Sequence, residues 1–290
     1  MRKTPNFSSV NTYRHDLSGS RPFAGSISTL TSRNAPQYNM HYGFELGIVL
    51  SGQMAIHFPG YNMKLSAGNV WFCGIWELHG WSSGANRCEQ VNLIVWPPAL
   101  AALQYAETTS FNWLAPFMVS PERRPQTEGE SGRAMIDLGL KIKKRIQDEK
   151  KSWGWMRLHI MEAILLATDR WAEKDRAINR NVGSSGQLNM VLSRFFERRE
   201  KMTTSEAAGI CGMNRDAFSR MFYDLMGLSF ADFDLRYRLD AAASALRQTD
   251  EPIKSIAFRW NFSDASHFDR LFTRHYGCTP FEYRRKARPA

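Results

Sequence analysis

From about Met40 to Pro97 the apolar residues come in short runs rich in Val, Ile, Phe and Trp, cut by Gly and Asn: FELGIVLSG, QMAIHFPGYN, KLSAGNVWFCG and CEQVNLIVWPP. Runs of that length bounded by turn residues predict strands joined by tight turns, hence an antiparallel barrel or sandwich. After Pro97-Pro98 the period changes. Ile136 and Leu140 open a helical segment that reaches about Lys150. A second runs from about Met156 to Lys174, with Leu158, Met161 and Leu165 on one stripe and Ile160, Ile164 and Trp171 beside it. Two adjoining stripes make a broad apolar face, suited to docking on the barrel or to pairing with a second copy. NVGSSG, Asn181–Gly186, is a flexible linker by composition, and beyond it everything reads as short helices of a compact all-α domain. The stretch up to Arg33, rich in Ser, Thr and Asn, predicts a mobile arm. The expected organisation is therefore an arm (1–33), a β-barrel domain (34–120), a helical segment for linking or dimerisation (121–180) and a helical domain (187–290).

The helical domain repeats itself. FSRMFYDLMG, Phe218–Gly227, and FDRLFTRHYG, Phe268–Gly277, share F-x-R-[ML]-F-x-x-x-x-G at an offset of 50 residues. Upstream, Ala208 precedes Gly212 and Met213 as Ala257 precedes Asn261 and Phe262. A small residue in one helix, a turn residue four positions on, then a new helix is the pattern of a helix-turn-helix. The turn residue must take φ > 0, which Gly does freely and Asn tolerates. Asn214 and Ser263 stand where N-caps belong. Helices are expected near Ser205–Cys211, Arg215–Met226, Ile253–Trp260 and Asp264–Tyr276, with a joining helix from Phe230 to Gln248. The repeated Phe residues are buried anchors, so Arg220 and Arg270 point away from them. Arg reads guanine bidentately in the major groove, and two joined units can enter successive major grooves ~34 Å apart.

Charge agrees with a polyanionic partner: the chain of 290 residues carries +10, although only part of that excess lies in the helical domain. No apolar run approaches the roughly 20 residues of a membrane span. The basic N-terminus is not followed by an apolar signal segment, and Cys73, Cys88, Cys211 and Cys278 form no C-x-x-C pair. These features predict a cytoplasmic, nucleoid-associated protein with free thiols.

Residues 187–290 resemble the DNA-binding domain of AraC/XylS-type regulators. The match runs through SEAAGICGMNRDAFSRMF, RLDAAASALR and IKSIAFRWNFSDASHFDRLFTRHYGCTPFEYRR, and GCTPFEYR is its most specific stretch. Carried over by position, the resemblance implies that Arg215, Asp216, Ser219 and Arg220 face DNA from the first recognition helix. Ala265, Ser266, His267 and Arg270 do so from the second. RWNF departs from the family's usual Gly before Phe. Asp216 would be repelled by phosphate, so it must meet a base-edge donor or pair with Arg220.

HYGFELGIVLSGQMAIHF and YNMKLSAGNVWFCG resemble the cupin-type effector domain fused to many such regulators. The cupin pattern H-x-H-x3-E-x6-G appears as Asn39, His41, Glu45 and Gly52, with Asn replacing the first His; Gly68 and His79 keep the second motif's spacing. The resemblance implies an all-β cupin-like barrel with an effector site at His41, Glu45, Trp76, Glu77, His79 and Trp81. His41, Glu45 and His79 could also hold a divalent metal, though no cofactor is expected. Aromatic faces beside carboxylate and imidazole suit a polyhydroxylated ligand, so a sugar or sugar derivative is expected, with carbohydrate-metabolism genes as targets. Another small metabolite is the second reading. A metal-dependent cupin enzyme fused to a DNA-binding domain is a third, disfavoured because no further acid–base constellation is present. The expected whole is a homodimeric, non-enzymatic transcription regulator, with RNA polymerase as a further partner if it activates.

Overall fold

The computed structural model describes residues 11–13, 15, 17–31, 37–58, 60–83, 87–101, 103, 113–148, 153–169, 191–192, 194–195, 201–226 and 228–287. The chain divides into two compact units, 1–189 and 190–290. The linker expected at Asn181–Gly186, and Trp171, lie outside the described residues.

The described residues of the first unit form nine strands: β1 (Asn11–Tyr13), β2 (Phe23–Leu30), β3 (Gln37–His41), β4 (Phe44–Ser51), β5 (Gln53–Phe58), β6 (Tyr61–Ser66), β7 (Val70–Cys73), β8 (His79–Ser83) and β9 (Cys88–Val95). They form two sheets, ordered β1-β3-β8-β5-β6 and β2-β9-β4-β7. All pairings are antiparallel except β1 with β3. Short turns α1 (Pro97–Ala101) and α2 (Ala115–Met118) follow, then α3 (Gly129–Gln147) and α4 (Trp153–Thr168). Phe23–Leu30, expected in a mobile arm, instead pairs along its whole length with β9. Its small polar side chains hid the strand, but the backbone groups that face β9 complete that strand's ladder, leaving β2 as the sheet edge.

β4 is buried on both faces because each has a partner. On the outer side, Gly139 of α3 sits against Ile48 and Leu50, and Ile146 against Gly25. On the inner side, Val49, Trp71, Cys73 and Cys88 pack with Met54, Ile56, Phe58 and Leu65 of the other sheet. α4 splits its two predicted stripes. Ile160 and Ile164 are buried, whereas Leu158 and Leu165 are 53% and 45% exposed and Trp155 is 49% exposed. No helix among the described residues is long and apolar enough to cross a membrane.

In the second unit the described helices are α5 (Thr204–Ile210), α6 (Arg215–Met226), α7 (Phe230–Gln248), α8 (Ile253–Arg259), α9 (Ala265–Tyr276) and α10 (Pro280–Ala287). The left-handed turns fall at Gly212 (φ +63°) and Asn261 (φ +57°), as the repeat requires. Asn214 caps α6 through Ala217 N–H at 2.8 Å. The cap of α9 is Asp264, not Ser263: its carboxylate accepts from His267 N–H at 2.7 Å, and Ser263 instead donates to Asp264. α7 serves both halves. Phe230 and Phe233 meet Phe222 of α6, while Leu239, Ala242, Ala243 and Leu246 pack with Phe268 and Phe272 of α9.

Candidate functional site

The sandwich interior is organised around one carboxylate. Glu45 on β4 is 1% exposed, and three N–H groups converge on it. Oε2 accepts from His41 Nε2 at 2.8 Å and from His79 Nε2 at 3.1 Å; Oε1 accepts from the Trp71 indole at 2.8 Å. The Nδ1–H of His79 donates to Glu77 O at 2.8 Å, which fixes the ring's direction. β3 and β8 deliver the imidazoles from one sheet, and β4 and β7 deliver Glu45 and Trp71 from the other. Trp71 reaches the carboxylate by lying across Gly47, where any Cβ would fall 1.8 Å from the ring. Gly47 is thus required for close approach, not for backbone freedom.

Burial opposes charge on Glu45, but His79 beside it and hydrogen bonds from both imidazoles hold its carboxyl well below the ordinary range. Burial would also lower His79; Cys73 and Glu45 more than reverse this, raising the imidazole well above its usual value. Burial pushes the Cys73 thiol up to about 11. Cys73 is therefore neutral at neutral pH, and the charge holding the proton on His79 is that of Glu45. Burial lowers His41, leaving a neutral ring. The interior thus carries an ionised Glu45–His79 pair with no net charge.

Trp81 stacks on His79 at 5.9 Å, and Trp76 lies 5.3 Å from Tyr42. Trp76 has φ +53°, a left-handed conformation costly for a bulky side chain, and its N–H donates to His41 O at 2.9 Å. His15, from the segment expected to be an arm, meets His41 edge-on at 5.3 Å. Of the six residues expected at the effector site, His41, Glu45, His79 and Trp81 come together and Trp76 stands beside them. Glu77 does not join them. It accepts from Gly74 N–H and pairs with the buried Arg124 at 2.7 Å, and Arg124 also donates to Phe72 O. Trp71, Gly47 and Arg124 were missed. A Trp across a Gly in paired strands is the signal that would have pointed to Trp71.

The ligand atoms of His41, Glu45 and His79 lie within 4.8 Å of one another, a grouping that can hold a metal ion. The donor set fits a divalent cation, with the His79 Nδ1–H bond to Glu77 O as the supporting contact. Such an ion would have to displace the hydrogen bonds both imidazoles give to Glu45.

In the second unit, Phe218, Phe222, Phe268 and Phe272 are fully buried, while Arg215, Asp216, Arg220, Ser266 and Arg270 are exposed and Ala265 and His267 are half-buried. Ser219 folds its hydroxyl back onto Arg215 O at 2.8 Å. His267 Nδ1 is held 3.0 Å from Ser263 Oγ. Asp264 fills the N-terminus of α9, so that helix end is less available to phosphate than its arginines are.

A family model described as "Helix-turn-helix domain" matches residues 207–286. The chain is 26% identical to the HTH-type transcriptional activator RhaR of Mannheimia succiniciproducens over 147 residues, 48% of this chain and 51% of that protein; it thus spans about half the length of that relative. It is 30% identical over 89 residues to the probable transcription factor PqrA of Proteus vulgaris, covering 31% of this chain and 73% of that protein. Among solved structures, ToxT from Vibrio cholerae covers 93% of this chain, with 100% of that chain matched, at 10% identity and a TM-score of 0.51, a likeness of fold.

Proposed function

The chain belongs to the AraC/XylS-type family of DNA-binding transcription regulators, and from that premise we propose that it is ligand-responsive. Its β-sandwich senses a small effector, a sugar or sugar derivative, and thereby controls genes of carbohydrate metabolism. The observation that carries this reading is the Glu45 centre: a buried carboxylate that gathers three N–H groups, with the Trp81 ring stacked on His79. Rings of this kind stack on the apolar C–H faces of a sugar while polar groups take its hydroxyls. Arg220 and Arg270 read bases, and the two recognition helices enter successive major grooves. The exposed Trp155, Leu158 and Leu165 of α4 support a homodimer. Effector binding shifts the population of dimer arrangements that fit paired half-sites. Contact with RNA polymerase follows if control is positive.

A thermal-shift screen of the full chain against mono- and disaccharides, with metal analysis of the same sample, tests this. A ligand that binds only the native state raises the midpoint by mass action. A sugar that stabilises, with no stoichiometric metal, is the expected result. Stoichiometric metal at His41, Glu45 and His79, with no sugar response, favours the second reading, a metal-bearing sensor of another metabolite. A variant Trp81→Ala is expected to lose the response while retaining DNA affinity; loss of folding instead would make Trp81 a core residue.

A further inference from the structure

The inner face of the four-stranded sheet carries a polar lane that the Glu45 centre does not use. Register fixes it. Ala24, Ile94, Glu45 and Cys73 lie in one cross-strand row; Ser26, Asn92, Gly47 and Trp71 form the next; Ser28, Gln90 and Val49 form a third. Directly opposed residues and their i+2 neighbours share a face. Glu45 meets His41 and His79 of the opposite sheet, so this face is the interior. Glu89, between the lanes, turns the other way and pairs with Lys143 of α3 at 2.6 Å. Gln90 and Asn92 therefore point inward. Their oxygens, Oε1 and Oδ1, are buried and have no donor among the described residues, and the same holds for Asn39 Oδ1 of the opposite sheet. Gln90 and Asn39 are 2% and 3% exposed.

Three buried acceptors without donors are costly to keep and call for an occupant. The carboxylate is no part of that demand, because three N–H groups already fill Glu45. The two sheets thus present amide oxygens from both sides.

We propose that Asn39, Gln90 and Asn92 form the specificity subsite of the effector site, and that it selects an uncharged, hydroxyl-donating ligand over the carboxylate of the same skeleton. This rests on the effector reading above and names its ligand class. Hydroxyl groups satisfy each acceptor by donating, whereas a ligand carboxylate sets further acceptors against oxygens that already lack donors. Gln90 and Asn92 become specificity-determining residues, although neither is part of the cupin-like motif.

The test uses the full chain and matched probes: aldoses and alditols against the uronic and aldonic acids of the same skeletons, measured by calorimetric titration and thermal shift. The neutral member of a pair is expected to bind at least tenfold more tightly. Gln90→Met and Asn92→Leu should each weaken it about tenfold, the loss of one good hydrogen bond. The same two variants should leave the unliganded midpoint unchanged or raise it, because each removes a buried acceptor that lacks a donor. A fall in that midpoint would mean the amides are structural, which overturns the subsite. Acids binding as well as or better than their neutral partners would overturn the ligand class while leaving effector sensing intact. Binding by neither class would overturn the sugar reading together with this inference.

Discussion

The first and second helix-turn-helix units follow one backbone path: Met213 N–H donates to Ala208 O at 2.9 Å in the first, and Phe262 N–H to Ala257 O at 3.1 Å in the second. They differ in how that path is held. The first places Gly212 at the left-handed position, where no Cβ must be accommodated; the second places Asn261 there. α5 opens with a reciprocal box between Thr203 and Glu206, whereas α8 follows Pro252 with no side-chain cap. The second unit is braced from α7 instead. Arg238, 8% exposed, pairs with Asp234 at 2.7 Å and donates to both Trp260 O and Asn261 O at 3.3 Å, and its guanidinium lies 4.8 Å from the centre of the Phe262 ring. One side chain thus satisfies carbonyls at the end of α8 and clamps the turn. The first unit is encoded largely within its own residues; the second borrows its turn from a helix that also touches the first.

The contrast breaks most visibly at Arg238. Arg238→Met leaves Asp234 buried without its cation and should cost about 3–5 kcal/mol. Hydrogen exchange should show lost protection in α8 and α9 with α5 and α6 unaffected; equal loss in both units would mean they are braced alike. The recognition helices come next. Arg220→Ala and Arg270→Ala should each weaken specific binding by about 1–3 kcal/mol and relax one base position, measured on DNAs selected from random sequence. If both leave affinity untouched, the recognition faces lie elsewhere. Thr203→Ala should cost about 1 kcal/mol, read as earlier exchange of the first amides of α5. An unchanged exchange pattern would show that α5 too is held from outside. The smallest effects concern the turns, and their signs differ. Gly212→Ala should destabilise by about 1 kcal/mol, while Asn261→Gly should stay within about 0.5 kcal/mol of neutral. Matched thermal midpoints for the two would erase the distinction.

Much of the second unit was legible because its signals are local. The Phe spacing, the small Ala, the turn residue and the following helix all act within a few turns of chain. The one slip there, Ser263 for Asp264 as the cap, turns on which of two adjacent side chains reaches His267 N–H. In the sandwich the strands from Phe44 to Val95 could be read from their runs. The paired strand Phe23–Leu30 could not, because AGSIST has too few large apolar residues to announce a buried partner. Glu77 was drawn into the site by its neighbours in sequence, yet Arg124, 47 residues away, takes it.

By itself the sequence determined the pair of helix-turn-helix units and their exposed arginines, since helix period and turn stereochemistry are set by nearest neighbours. It also determined that His41, Glu45 and His79 belong to one motif. Only the tertiary structure decided that Trp71 completes the Glu45 centre across Gly47, that Gln90 and Asn92 face inward, and that Arg238 supports a turn more than 20 residues away. Which alternate set of a strand is interior depends on what covers its other face, here α3. Convergence of side chains from separate strands is a product of packing, and no local pattern carries it.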